Sequence, residues 1–207
     1  MRLLQRLVKE MTKAMTKAIL LVGVGGQGTI LASKILSEGL VREGYDVKMS
    51  EIHGMAQRGG SVTTQIKFGT EVASPIIGLA EADAIVAFEK VEAVRCLAYL
   101  KEEGTLLVND HEIYPLPVLT GKEEYPANVE EYLRKKVKKC SFIAANNIAL
   151  ELGNTKAQNI VLLGAVIKAL GLVNLAWEEI LKQYLPPKLH ELNLKALRAG
   201  ISHKLQL

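Results

Sequence analysis

The sequence predicts an α/β fold of Rossmann-like type, a largely parallel sheet with helices on both faces followed by further C-terminal helices. Three observations carry that expectation. From residue 18 onward, short apolar runs alternate with helical periodicity; the first run ends in a glycine-rich turn that opens a helix; and the last quarter of the chain is helical in pattern. A length of 207 residues fits one domain with at most an appendage. The expected division is an extension over residues 1–14 and a single domain over residues 15–207.

Residues 1–18 place Leu3, Leu4, Leu7, Val8, Met11, Met15 and Ala18 at helical spacing with basic residues opposite, which reads as an amphipathic helix. Either an incidental extension or a docking or membrane-surface helix fits that pattern, whereas a secretory signal, with its continuous apolar centre, does not. "AILLVGVGGQG" is a buried strand running into a tight turn, and Ile30, Leu31, Ile35, Leu36 and Leu40 then mark a helix ended at Gly44. Val47 to Glu51 is a second short strand, "IHGMAQRGG" a loop, and "SVTTQIKF" a strand with Val62, Thr64, Ile66 and Phe68 on one face. "ADAIVAF" and "TLLVND" are further strands, separated by a helix through Val91 to Leu100. The stretch from His111 to Pro126 carries three prolines and reads as an irregular excursion. Residues 128–138 return to helix, "CSFIAAN" is a last strand, and Thr155 to Ala169 is a helix apolar on most sides. Trp177 to Leu185 and Lys188 to Ala199 complete the helices, with Pro186 and Pro187 between them and Gly200 as the stop.

With 49% hydrophobic residues, 23% charged residues and a mean hydropathy of +0.16, the chain has ample material for a core. Apolar runs such as Ile160 to Ile167 fall far short of the roughly 20 residues that cross a bilayer, so no membrane span is expected. The formal charge of +4 sits in the first 18 residues, where five basic residues face one acidic residue, and the rest is balanced. Nucleic acid is therefore not an expected partner. Cys96 and Cys140 are the only cysteines, which fits a reducing, cytoplasmic compartment and is too few for an iron-sulfur cluster held by this chain alone. Four scattered histidines make no structural zinc site, and no metal site is expected.

Two constellations carry the chemistry. Gly23, Gly25 and Gly28 fit G-x-G-x-x-G after a strand and before a helix, where small residues let backbone N–H groups and the positive helix end approach an anion. Glu51 is the candidate acid closing the second strand of a dinucleotide site, and tight helix–strand packing is the bland alternative. The second, Ser50 to Val62, gathers Glu51, His53, Gln57 and Arg58 within eight residues. Arg58 beside Gly59 and Gly60 suits a carboxylate or phosphate, and His53 can exchange a proton near neutral pH. Taken singly, a structural histidine, an Arg58–Glu51 ion pair and a subunit contact are the plainer readings. No P-loop, G-x-S-x-G elbow, helical metal-ligand pair or Cys–His couple is present.

Together "ILLVGVGGQGTILASKIL", "SEIHGMAQRGGSV", "NIVLLGAVIKALGL" and "NLKALRAG" resemble the gamma-type domain of 2-oxoacid:ferredoxin oxidoreductases over roughly residues 15–200. The His-Gly-Met-Ala-Gln-Arg-Gly-Gly version is most similar to the beta subunit of indolepyruvate:ferredoxin oxidoreductases. The resemblance implies a subunit without clusters, inactive alone. Its large catalytic partner carries thiamine diphosphate and iron-sulfur clusters, oxidatively decarboxylates an aryl 2-oxoacid with coenzyme A as co-substrate, and reduces ferredoxin. It implies contacts toward the partner's active site or coenzyme A from Gly23, Gly25, Gly26, Gln27, Gly28, His53, Gln57, Arg58, Gly59 and Gly60, and assigns no catalytic residue. A self-sufficient NAD(P)- or FAD-dependent Rossmann oxidoreductase and a non-catalytic scaffold subunit are the alternatives.

Overall fold

A computed structural model describes residues 15–54 and 59–206. The expected N-terminal helix over residues 1–14, together with Gln57 and Arg58, lies outside the described residues. The sheet has six strands, β1 (Lys17–Val24), β2 (Asp46–His53), β3 (Ser61–Gly69), β4 (Ala82–Ala87), β5 (Leu100–Asn109) and β6 (Lys139–Ile143), in the order β2-β3-β1-β4-β5-β6. Pairs β1–β4, β4–β5 and β5–β6 are parallel, whereas β3 runs antiparallel to both β1 and β2. Five of the six strands therefore point one way, and the largely parallel sheet is as the sequence predicts. The hairpin places β3 between β1 and β2.

Alternation along the central strands explains the two layers, since successive side chains leave opposite faces. Ile19 and Leu21 of β1 join one apolar cluster; Ala18, Leu20 and Val22 join the other. The first cluster is covered by α1 (Thr29–Arg42), α5 (Ala145–Glu151), α6 (Gln158–Ala169), α7 (Trp177–Tyr184) and α8 (His190–Ser202). The second lies under α2 (Lys90–Cys96) and α4 (Val129–Lys136), while α3 (Leu116–Leu119) is one short turn inside the three-proline excursion. Every residue of α6 from Asn159 to Ile167 is buried, as its apolar circumference requires.

Three expectations are corrected. The helix through Leu100 ends at Cys96 and tightens into a 3-10 turn over Leu97–Tyr99, so Leu100 already opens β5, five residues ahead of "TLLVND". Helix α5 follows β6 almost without a break and was not expected there. Gly200 does not stop the last helix, which continues to Ser202. A Cβ on Gly200 would lie 2.0 Å from the Val161 carbonyl oxygen, and one on Gly164 would lie 2.3 Å from that of Leu197. The two glycines let α6 and α8 cross backbone to backbone. A local breaker rule cannot anticipate a contact between residues 36 positions apart.

Candidate functional site at the carboxyl end of the sheet

The carboxyl ends of β1 and β4 are neighbours whose following helices lie on opposite faces, α1 on one and α2 on the other. Open α/β sheets part at such a point and leave a crevice. Here it is occupied by the turn Gly25–Gly28. Gly26 (φ +101°) and Gly28 (φ +79°) adopt left-handed backbone, and Gly28 opens α1 with no side-chain cap and no acidic residue in the helix's first turn. The positive end of a 14-residue helix therefore faces the crevice without a compensating charge of its own.

The predicted residues of the turn divide by what they touch. Gln27 is 6% exposed and points inward. Its Oε1 accepts from Val24 N–H at 2.8 Å and its Nε2 donates to the Phe88 carbonyl at 2.7 Å, bracing the turn against the end of β4. Gly23 packs under that brace, since a Cβ there would lie 2.8 Å from Gln27 Oε1. Gly28 is pressed by Asn159, whose Nδ2 donates to its carbonyl at 3.2 Å. Gly25 N–H donates to the Gly60 carbonyl at 2.9 Å. Gly26, unlike Gly23 and Gly28, meets nothing within 4 Å of an added Cβ among the described residues, and it lines the grooves on both sides.

That Gly25–Gly60 bond joins the two constellations. Residues Gly23, Val62 and His53 lie abreast across β1, β3 and β2. His53 and Gly54 line a groove of about 640 Å³ with Gly25, Gly26, Thr29 and Val62. His53 Nε2 stands 3.5 Å from Glu51 Oε2. Glu51 Oε1 and Thr64 Oγ1, on residues paired across β2 and β3, are buried atoms with no hydrogen-bond partner among the described residues. The expected dinucleotide acid is corrected: β3 separates β2 from β1, so Glu51 is two strand spacings, roughly 10 Å, from the strand that carries the turn. An added Cβ on Gly59 (φ +77°) meets nothing within 4 Å among the described residues, and Gly60 is the residue bonded to the turn.

On the other side of the turn, a groove of about 320 Å³ is lined by Gly26, Leu31, Asn146, Lys156, Gln158 and Asn193, among others. Below it, fully buried Asn109 at the end of β5 shares the two N–H groups of its Nδ2 among the Phe88 carbonyl, Asn146 Oδ1 and Gln158 Oε1, and its Oδ1 accepts from Ala145 N–H. This amide network and Lys156 were not identified from sequence. Asn109 closing a buried strand was the available signal, because a carboxamide among β-branched and leucine residues needs a polar partner. The two thiols point elsewhere in chemistry: burial pushes both Cys96 and Cys140 up to about 11, so they remain protonated near neutral pH. Among the described residues no group of three or more His, Cys, Asp or Glu is placed to hold a metal ion, and no helix is long and apolar enough to cross a membrane.

The family model described as "Pyruvate ferredoxin/flavodoxin oxidoreductase" matches residues 18–203. The indolepyruvate oxidoreductase subunit IorB of Pyrococcus horikoshii is 36% identical over 189 residues, covering 88% of this chain and 93% of that protein. The pyruvate/ketoisovalerate oxidoreductases common subunit gamma of Pyrococcus furiosus is 35% identical over 179 residues, with 85% and 90% coverage. Among solved structures, the keto/oxoacid ferredoxin oxidoreductase gamma subunit from Geobacter sulfurreducens superposes with a TM-score of 0.67 at 25% identity, covering 90% of this chain and 95% of that one.

Proposed function

We propose, from the premise that this chain belongs to the pyruvate ferredoxin/flavodoxin oxidoreductase family, that it is the cluster-free subunit of an indolepyruvate (arylpyruvate):ferredoxin oxidoreductase. The near full-length similarity to IorB subunits supports the indolepyruvate assignment over the pyruvate one. Complexes of this family use thiamine diphosphate, iron-sulfur clusters and coenzyme A. Two cysteines, 44 positions apart, are too few for a cluster that takes four thiolates, so the partner supplies the electron-transfer centre, and ferredoxin is reached through the complex. Thiamine diphosphate belongs with it in the large catalytic subunit, and the soluble complex works in the cytoplasm.

The observation that carries the reading is the Gly25–Gly60 bond, which makes the glycine turn and the histidine loop one surface. That surface offers the uncapped N-terminus of α1, open space at Gly26 and Gly59, the His53 imidazole and the Lys156 ammonium. Such donors suit the phosphates and amides of coenzyme A, with Gln57 and Arg58 from the same loop completing the contact. This chain's part is to bind and orient the co-substrate toward the partner's reacting carbon and to close the site against water. A self-sufficient dinucleotide enzyme is disfavoured because Glu51 is displaced from β1 by β3. The test is reconstitution. The chain alone should be colourless and inactive; with its large subunit it should form a heteromer that reduces ferredoxin in the presence of arylpyruvate and coenzyme A. Bound dinucleotide or iron-sulfur absorbance in the isolated chain, or failure to assemble by native mass measurement, would refute the assignment.

A further inference from the structure

We infer that Glu92, on α2 and outside both grooves, is a positioning residue that anchors to α2, through Ser61, the step where the histidine loop meets the glycine turn. The inference rests on the proposed function of that surface. Ser61 is the first residue of β3, immediately after the loop. Its hydroxyl donates to Glu92 Oε2 at 2.6 Å, and the Glu92 side chain is only 6% exposed. The second carboxylate oxygen takes Arg95 Nη1 at 3.0 Å, and Glu92 N–H is itself held by the buried Glu89 carboxylate at 3.0 Å. The carboxylate is thus held by two partners, its backbone is held by a third, and one of its oxygens is directed at the loop.

The step Gly60–Ser61 is where the surface is joined. The Gly60 carbonyl receives Gly25 N–H, the Ser61 carbonyl receives Gly54 N–H at 3.1 Å, and Ser61 lies opposite Val24 in the ladder. Both ends of the loop and the start of the turn therefore meet within two residues. Backbone bonds set their spacing along the strands; among the described residues, the Ser61–Glu92 bond is the hydrogen bond that ties the step to the α2 layer. Because the acceptor is a nearly buried charge, the bond is strong, and losing the hydroxyl leaves the carboxylate under-satisfied. Neither residue is placed to touch a ligand in the grooves, so any effect on coenzyme A passes through Gly25, Gly26 and Gly60.

The experiment uses Ser61→Ala, Glu92→Ala, their double variant and Ser61→Thr, in the reconstituted complex and in the chain alone. In the complex, each single alanine variant should raise the apparent KM for coenzyme A about ten-fold, a size expected for losing one charge-assisted bond. The KM for arylpyruvate and the assembly should stay unchanged. The double variant should be no worse than the worse single one, as for two partners in one bond. Ser61→Thr keeps the hydroxyl and should stay within about three-fold of the parent. In the chain alone, hydrogen exchange should rise together in peptides covering residues 23–28 and those covering Ser61. Glu92→Gln, which keeps the side chain's size, serves where Glu92→Ala folds poorly, with the same direction and a smaller change. An unchanged coenzyme A KM, an additive double variant, or faster exchange confined to α2 would overturn the anchor. If the parent complex shows no coenzyme A dependence at all, the proposed function fails, and the exchange measurement alone decides whether the anchor exists.

Discussion

Two regions of this molecule depend on glycine for opposite reasons. At the α6–α8 crossing, Gly164 and Gly200 are absent side chains that another backbone fills, with carbonyl oxygens at 2.3 and 2.0 Å from where their Cβ atoms would stand. At the carboxyl end of the sheet, Gly26 and Gly59 are absent side chains that nothing within the described residues fills. The first arrangement closes a core; the second keeps a surface open. The difference teaches that a glycine's meaning lies in what occupies the missing volume. Its position in a motif does not reveal that.

The largest expected effect breaks the filled case. Gly200→Ala forces a methyl group against the Val161 carbonyl, and backbone cannot move aside as a side-chain tip can. Separating α6 from α8 should cost about 3 kcal/mol or more, which for a chain of this size lowers Tm by about 6–12 °C. Thermal unfolding of the chain alone measures it. The apparent KM for coenzyme A in whatever complex still forms should be unaltered. A Tm within a degree of the parent would show that the crossing is loose.

Next in size is Arg58→Ala, which tests whether the open case is a binding surface. Arg58 is the only arginine of the histidine loop. Its removal should leave Tm unchanged while costing roughly 1.5–3 kcal/mol in the affected step, about ten-fold to a hundred-fold in turnover at low coenzyme A. Arg58→Lys should recover only part, because an ammonium lacks the planar fork. A loss in coenzyme A affinity supports direct contact, weakened subunit association supports an interface role, and no change in either excludes both.

Much of this fold was legible because the strands are apolar runs and the helices repeat their apolar residues at helical spacing, α6 around nearly its whole circumference. Period-two alternation in "SVTTQIKF" gave β3 and its buried face, with Ile66 and Phe68 in the core. Its direction and its place between β1 and β2 were not legible, since strand order is decided by pairing among distant segments. That insertion is what removed Glu51 from the role a simple Rossmann order suggests. The turn itself was legible as a motif, but not the division of labour within it. Gln27 reads as a polar contact residue and proves to brace the turn through both ends of its amide. Asn109, Asn146, Gln158 and Asn159 are dispersed over 51 positions and acquire meaning only when β5, α5 and α6 converge.

A smaller effect separates backbone demand from ligand demand within the open case. Gly26→Ala meets no neighbour, so its stability cost is that of holding a non-glycine residue at positive φ, about 1–2 kcal/mol and about 3–6 °C in Tm. Because Gly26 lines both grooves, the same variant should also raise the apparent KM for coenzyme A, unlike Gly200→Ala. Thermal unfolding and coenzyme A titration of the same preparation distinguish them. If Gly26→Ala loses stability and keeps its KM, the turn is a packing device and the open space beside it is unused.

The smallest expected effect supplies the baseline for both regions. Deleting residues 1–14 removes four basic residues and one acidic residue, so the pI must fall. The first core strand begins at Lys17, and Thr16, just ahead of it, already packs against Gly69. Neither the α6–α8 crossing nor the surface around Gly26 draws on anything earlier in the chain among the contacts described. The deletion should therefore change stability by no more than about 0.5 kcal/mol, about 1–2 °C in Tm, and leave arylpyruvate turnover in the complex as it was. A loss of many degrees would show that Leu3, Leu4, Leu7 and Val8 belong to the core. A loss of assembly at constant Tm would make the basic, amphipathic pattern a docking element for the large subunit.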